Sequence, residues 1–312
     1  MSSLKEIKGR IASVKSTKKI TSAMKMVASS KLHKAHTLIE RFLPYERRVA
    51  AMLNDFLSGY CTGVTLTPND RSGITPSETP PSAHISSVFT ETRPIKRVAL
   101  VCLSSNSSLC GAFNSNIIRI FNEKIKTYRE LNYEIDIYPI GKKIESAANK
   151  LTIPVEIKGS FISLIDKPNY EGAKKIADAL IHDFSTCKID RVDLIYNHFK
   201  STGVQIPTDE LFLPVDLSLR KAGKAIPIDY IIEPDRKTIV ESLIPCSLRN
   251  KIYAILLDSS AAEHAARTVA MQIATDNADE ILGELTIQYN KQRQQAITSE
   301  LLDIIGGSEA LK

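Results

Sequence analysis

Ser247–Ile305, SLRNKIYAILLDSSAAEHAARTVAMQIATDNADEILGELTIQYNKQRQQAITSELLDII, holds no proline and one glycine, Gly283, among residues that favour helix. Read as one helix, these 59 residues make a rod of about 88 Å. A compact globule of 312 residues has a radius of gyration of only about 20 Å, so the rod must project from any single core. Ser260 and Glu263 have capping-box spacing, which offers a later start and still leaves a helix of about 65 Å. An apolar stripe runs through Leu257, Ala261, Ala265, Val269, Ile273, Ile281, Leu285, Ile297, Leu301 and Ile304.

The other end of the chain carries a matching stripe. Leu4, Ile7, Ile11 and Val14 step by three and four, and after a polar stretch Ile20, Met24, Val27, Leu32, Ala35, Ile39 and Phe42 resume it. Pro44 is expected to kink or end this helix after about 60 Å. Two long apolar stripes aggregate unless they cover each other, so the two ends of the chain are expected to pair as an antiparallel coiled coil. Charge favours the pairing. Residues 1–60 hold twelve Lys or Arg against four acids, a net of +8, and residues 247–312 hold six against nine, a net of −3. The surplus on Lys5, Lys8, Lys15, Lys18, Lys19, Lys25, Lys31 and Lys34 either faces water or meets an acidic surface. Nucleic acid is disfavoured: the chain is only +6 overall, has no Trp, and sets no aromatic residues among the basic ones.

With 43% hydrophobic and 24% charged residues, this reads as a soluble chain with room for one domain besides its helices. No apolar run is long enough to span a membrane. The start MSSLKEIKGR enters the helical pattern at once, leaving no room for a signal or transit peptide, which suggests a bacterial-type cytoplasmic protein. Cys61, Cys102, Cys110, Cys187 and Cys246 form no CxxC pair and read as structural thiols. Residues 61–94 are rich in Ser, Thr and Pro and read as a loop or insertion. Strand-like and helix-like stretches then alternate: Val98–Leu103, Asn116–Leu131, Glu134–Ile140, Lys142–Lys150, Val155–Lys158, Tyr170–Phe184 and Arg191–Phe199. This implies an α/β layer with a mainly parallel sheet, with Gln205–Val215 as an edge strand or hairpin.

No catalytic constellation emerges. The loop Ser104–Gly111 sits where phosphate-binding loops sit, but it has one glycine and neither the dinucleotide fingerprint nor a P-loop lysine. Cys110 lacks a nearby His and reads as packing. His33 and His36 lack a third metal ligand, and Asp276, Asp279, Glu280 and Glu284 lack the order of a calcium loop. One stretch resists a bland reading. From Gln288 to Gln295 seven of eight residues are polar and the stripe lapses, which weakens a coiled-coil seam and suits directional hydrogen bonds from Arg293 and Gln294 to another protein.

The N-terminal KEIKGRIASVKSTKKITSAMKMVASSKL, the central SSNSSLCGAFN, and the C-terminal AARTVAMQIATDN and YNKQRQQAITSEL resemble the gamma subunits of F-type rotary ATP synthases of the bacterial type. The resemblance implies a long antiparallel coiled coil of the terminal helices (1–60 and 241–312), the insertion at 61–94, and a central Rossmann-like α/β foot at 95–240. It implies a shaft, one copy per complex, inside a ring of three alpha and three beta subunits, with the foot on the epsilon subunit and the c ring. Proton flow would turn the shaft, whose uneven surface forces the beta subunits through different nucleotide affinities. Mg-ATP and Mg-ADP would bind alpha and beta, leaving this chain without catalytic, cofactor or metal residues. Lys18, Lys19, Met24 and Lys25 match positions near an acidic loop of beta, and Arg267, Arg293, Gln294, Thr298 and Glu300 match the segment that grips beta. Membrane contact would come only through the c ring, at the cytoplasmic face of the inner membrane. Two departures stand out: Asn106 and Ser108 replace the usual Asp and Gly, and the insertion is longer than usual. The chloroplast type carries a regulatory dithiol in an inserted loop, and no close cysteine pair matches it here, so no thiol switch is expected. A free-standing coiled-coil adaptor or a nucleotide-binding α/β enzyme are the alternatives.

Overall fold

A computed structural model describes residues 4–61, 89, 91–151, 155–215 and 236–310. In chain order the elements are α1 (Leu4–Cys61), β1 (Arg97–Leu103), α2 (Phe113–Glu130), β2 (Glu134–Ile140), α3 (Lys142–Ala148), β3 (Glu156–Ile157), α4 (Ile162–Asp166), α5 (Tyr170–Ser185), β4 (Arg191–Ser201), β5 (Val204–Leu213) and α6 (Arg236–Ala310). Most of the Ser/Thr/Pro-rich stretch expected at 61–94 lies outside the described residues. The short α4 had no signal in the apolar periodicity.

α6 exceeds its expected length, α1 runs on past the proline expected to kink or end it, and in both the reason is packing. α1 runs through Pro44 to Cys61. Pro44 is exposed, so water can satisfy the carbonyl it orphans, while Val49 and Leu53 beyond it are buried and hold the helix on course. α6 begins not at Ser247 or Ser260 but at Arg236, and runs through Pro245. Ile244 and Leu248 flank that proline inside the core of the sheet domain. Ser260 is buried in mid-helix, and Glu263 pairs with Arg267 instead of capping.

The helices are antiparallel: Lys18 pairs with Asp279, the Thr21 and Thr275 hydroxyls meet at 2.9 Å, and the rings of Phe42 and Tyr253 stack edge-on at 4.9 Å. On α1 the buried and half-buried seam steps by four and three through Ile7, Ile11, Val14, Lys18, Thr21, Lys25, Ala28, Leu32, Ala35, Ile39 and Phe42. On α6 it passes through Met271, Thr275, Ala278, Leu282, Leu285 and Tyr289. This corrects the expected stripes. Ile20 and Val27 are each 58% exposed, and Ile273 and Ile281 also face outward. A supercoiled pair keeps 3.5 residues per turn, so a seam begun at Ile7 reaches Lys18, Thr21 and Lys25 whatever their chemistry. The coiled coil is therefore polar inside and apolar outside over this turn. Replacing Thr21 or Thr275 alone by Val should cost about 1 kcal/mol, and replacing both should recover the loss, measured as the coupling of a double-mutant cycle in thermal melts.

The sheet order is β3-β2-β1-β4-β5, with β4–β5 antiparallel and the other pairs parallel. Helices cover both faces, giving a doubly wound, Rossmann-like layer. One face packs Ile117, Phe121 and Ile125 of α2 on Val98, Leu100 and Cys102. The other packs α5 and the start of α6 on Ala99, Val101 and Leu103. Buried Asp193 is compensated by the Tyr128 hydroxyl, the Arg191 guanidinium at 3.0 Å and Lys124. Burial and this carboxylate together push the Tyr128 phenol well above its usual range.

Candidate functional site: the shaft and its junction with the foot

In a doubly wound sheet a ligand would sit beyond the carboxyl ends of β1 and β4, where the strand order reverses. Here the chain fills that place with its own groups. Ser104 Oγ accepts the Ile144 amide at 2.9 Å, Asn114 Oδ1 accepts the Ser105 amide at 3.0 Å, and Asn114 Nδ2 donates to Ser105 Oγ at 2.8 Å and to Cys110 Sγ at 3.0 Å. Cys110 is buried beside Phe113, Ala262 and Ala266, as its packing role requires. The departure at Asn106 has a physical account. Its Nδ2 donates to the Ile162 carbonyl and to Asp166 Oδ2, both at 2.8 Å, while its Oδ1 accepts the Lys142 amide. An aspartate would lack the donor and would face Asp166.

Arg267 belongs to this loop rather than to the far end of the shaft. Its guanidinium, 11% exposed, donates to Glu263 at 2.6 Å and to Ser107 Oγ at 2.7 Å. The structure thus separates Arg267 from Arg293, Gln294, Thr298 and Glu300, which lie about 40 Å or more along α6. Those four are exposed, and Thr298 Oγ1 donates to the Gln294 carbonyl at 2.9 Å. The pairings of 18 with 279 and 21 with 275 place Leu4 near Gln292. From Arg293 to Ala310, about 27 Å, α6 therefore runs past the start of α1. Ile297, Leu301, Leu302, Ile304 and Ile305 are all about half exposed or more there. This corrects the expectation that Ile297, Leu301 and Ile304 pair with α1. The polar run 288–295 marks the level where the partner helix ends. In the first helix Lys19 is exposed, Met24 and Lys25 are half-buried at the seam, and Lys18 is engaged with Asp279.

Exposed Ile20, Met26 and Val27 were missed as surface residues; counting 3.5-residue steps from Ile7 would have found them. Also missed was His264, at the junction. Burial, with Lys31 and Arg267 nearby and against the opposing pull of Asp166, lowers its pKa from the ordinary 6.5 to about 4, and its Nδ1 has no hydrogen-bond partner among the described residues. The unfolded chain takes up that proton near pH 6.5 and the folded chain only near 4, so stability falls as pH drops through this window. His264→Leu should remove about 2 kcal/mol of the difference in unfolding free energy between pH 7 and 4.5. Parallel pH dependence of variant and wild type in urea melts would contradict this.

Among the described residues no helix is long and apolar enough to cross a membrane, and no three His, Cys, Asp or Glu side chains gather as metal ligands. Cys102, Cys110, Cys187 and Cys246 are free thiols.

The chain matches the ATP synthase family over residues 3–311. It is 53% identical to the ATP synthase gamma chain of Azobacteroides pseudotrichonymphae genomovar. CFP2, with both chains fully covered. It is 52% identical to the gamma chain of Bacteroides fragilis (99% of this chain, 100% of the relative), and 39% identical to that of Flavobacterium johnsoniae (100% and 99%). In fold it is similar to a chain of the central stalk and c ring of the Tetrahymena thermophila mitochondrial ATP synthase (TM-score 0.56, 23% identity, 82% of this chain and 99% of that one). It is also similar in fold to a chain of the Euglena gracilis mitochondrial ATP synthase (TM-score 0.51, 20% identity, 91% and 95%). A shaft of two antiparallel helices, a foot whose ligand position is filled by its own loop, and full-length identity of this order lead to one assignment: the chain belongs to the family of ATP synthase gamma chains, the rotor subunits of the central stalk.

Proposed function

We propose that this chain is a non-catalytic torque shaft, one copy per ring of three alpha and three beta subunits, with its foot on the epsilon subunit and the c ring. The end of α6 beyond the start of α1 is the observation that carries this reading: a polar collar at Arg293, Gln294, Thr298 and Glu300 lies among apolar side chains that the other described residues leave open. Such a surface suits a partner that encloses it. Lys18, Lys19, Met24 and Lys25 form the second contact, with an acidic loop of beta, in which Lys18 would exchange Asp279 for the partner. Arg267, held within the chain, serves the ring by fixing the Ser107 loop. Proton flow through the membrane sector turns the shaft, and Mg-ATP and Mg-ADP bind only alpha and beta. The chain is peripheral at the cytoplasmic face of the bacterial inner membrane, reaching it through the c ring, with no thiol switch. Calorimetric titration of the isolated chain with Mg-ATP should show no binding at millimolar nucleotide. Saturable binding would overturn the non-catalytic reading in favour of a nucleotide-dependent enzyme.

A further inference from the structure

Polar ties that join the foot to α6 include four among the described residues. Arg249 Nε donates to Asp178 of α5 at 2.6 Å, Lys251 pairs with Glu210 of β5 at 2.7 Å, Asp258 engages the end of β4, and Arg267 holds the Ser107 loop. α1 touches the same end of β4 through rings, His36 standing edge-on to Phe199 at 5.8 Å. Between α1, α6 and the β4–β5 hairpin lies a cleft of about 270 Å³, bordered by Phe42, Tyr196, His198, Lys251 and Asp258. An apolar core that includes Leu248, Ile252 and Leu256 joins the start of α6 to the sheet, and along this cleft, where that packing is interrupted, polar ties continue the joint between foot and shaft.

Asp258 is unlike the other three. Its Oδ1 accepts the Phe199 backbone amide at 3.1 Å and its Oδ2 meets His198 Nδ1 at 2.7 Å, so one carboxylate grips both main chain and side chain of a strand. It is largely buried, and desolvation raises its pKa against the opposing pull of His198. A carboxylate kept in such a place without these two donors would be unfavourable.

We infer that Asp258 is a positioning residue that helps to lock the foot to α6 at the end of β4, so that torque passing from the foot into α6 depends on its grip. The inference rests on the rotor reading. It predicts a split between two activities, because hydrolysis by the ring turns an unloaded shaft, whereas ATP synthesis must drive the shaft through the foot.

The test compares wild type, Asp258→Ala and Asp258→Asn, each assembled with alpha and beta for hydrolysis and in the whole complex in vesicles for gradient-driven ATP synthesis. For Asp258→Ala the copy number per assembly and the hydrolysis rate should match wild type, while synthesis falls about tenfold, the low end of the weight of a hydrogen-bonded charged group. Asp258→Asn keeps an acceptor for the Phe199 amide and should restore most of the loss. Unchanged synthesis in Asp258→Ala would overturn the inference, as would losses of assembly, hydrolysis and synthesis in step, which mark a folding defect. A wild-type chain that leaves alpha and beta inactive would overturn the rotor reading, and the lock with it.

Discussion

Replacing Arg293 and Gln294 together by alanine should lower ATP synthesis in membranes about tenfold or more, while the unfolding free energy of the isolated chain changes by no more than about 0.5 kcal/mol. Both side chains are exposed on the stretch of α6 that extends past the start of α1, and neither is engaged by the described residues of this chain. Nothing internal is lost when they are removed. A guanidinium with its fork of donors and a planar amide beside it suit charge-assisted hydrogen bonds to an enclosing partner, and removing one side of such a contact leaves the other side unpaired. Unaffected synthesis by the double variant would show that the collar is a solvated surface.

The largest effect on folding is expected at Gly141, the residue that turns β2 into α3. Its φ of +110° with ψ of 146° belongs to a region almost restricted to glycine, and an added Cβ would overlap the Ser104 carbonyl oxygen. Neither side can move away cheaply. The Ser104 amide donates to the Ile140 carbonyl at 2.9 Å and its hydroxyl accepts the Ile144 amide at 2.9 Å, so the same residue ties β1 to both β2 and α3. Gly141→Ala should cost about 3 kcal/mol or more and lower the melting temperature by about 5 °C for a chain of this length. A melting temperature equal to that of wild type would contradict the geometry.

How far these features could be read from sequence depended on the range of the forces behind them. The parallel strands Val98–Leu103 and Glu134–Ile140 and the helix at Tyr170 were legible because their apolar runs and boundaries are local. The lengths of α1 and α6 were not, since Pro44 and Pro245 are strong local stop signals that only tertiary burial of Leu53, Ile244 and Leu248 outweighs. The inner face of the shaft was misread for a related reason. Residue type alone favours Ile20 and Val27 over Lys18 and Lys25, and only the supercoil period assigns the latter to the seam. At the collar, the polar run around Arg293 marked a contact surface, but the point where α6 outruns α1 depends on the pairing register fixed some distance away at Thr21 and Thr275. Arg267 was grouped with Arg293 through resemblance, and its contact with Ser107 is a long-range one that no spacing reveals.

The most direct test of the central claim is to co-express the chain with matching alpha and beta subunits, purify by a tag on beta, and measure subunit ratio together with ATPase activity. The account predicts one copy of this chain per three alpha and three beta, and hydrolysis that depends on its presence. A chain that stays free of the ring while alpha and beta assemble and turn over without it would contradict the account.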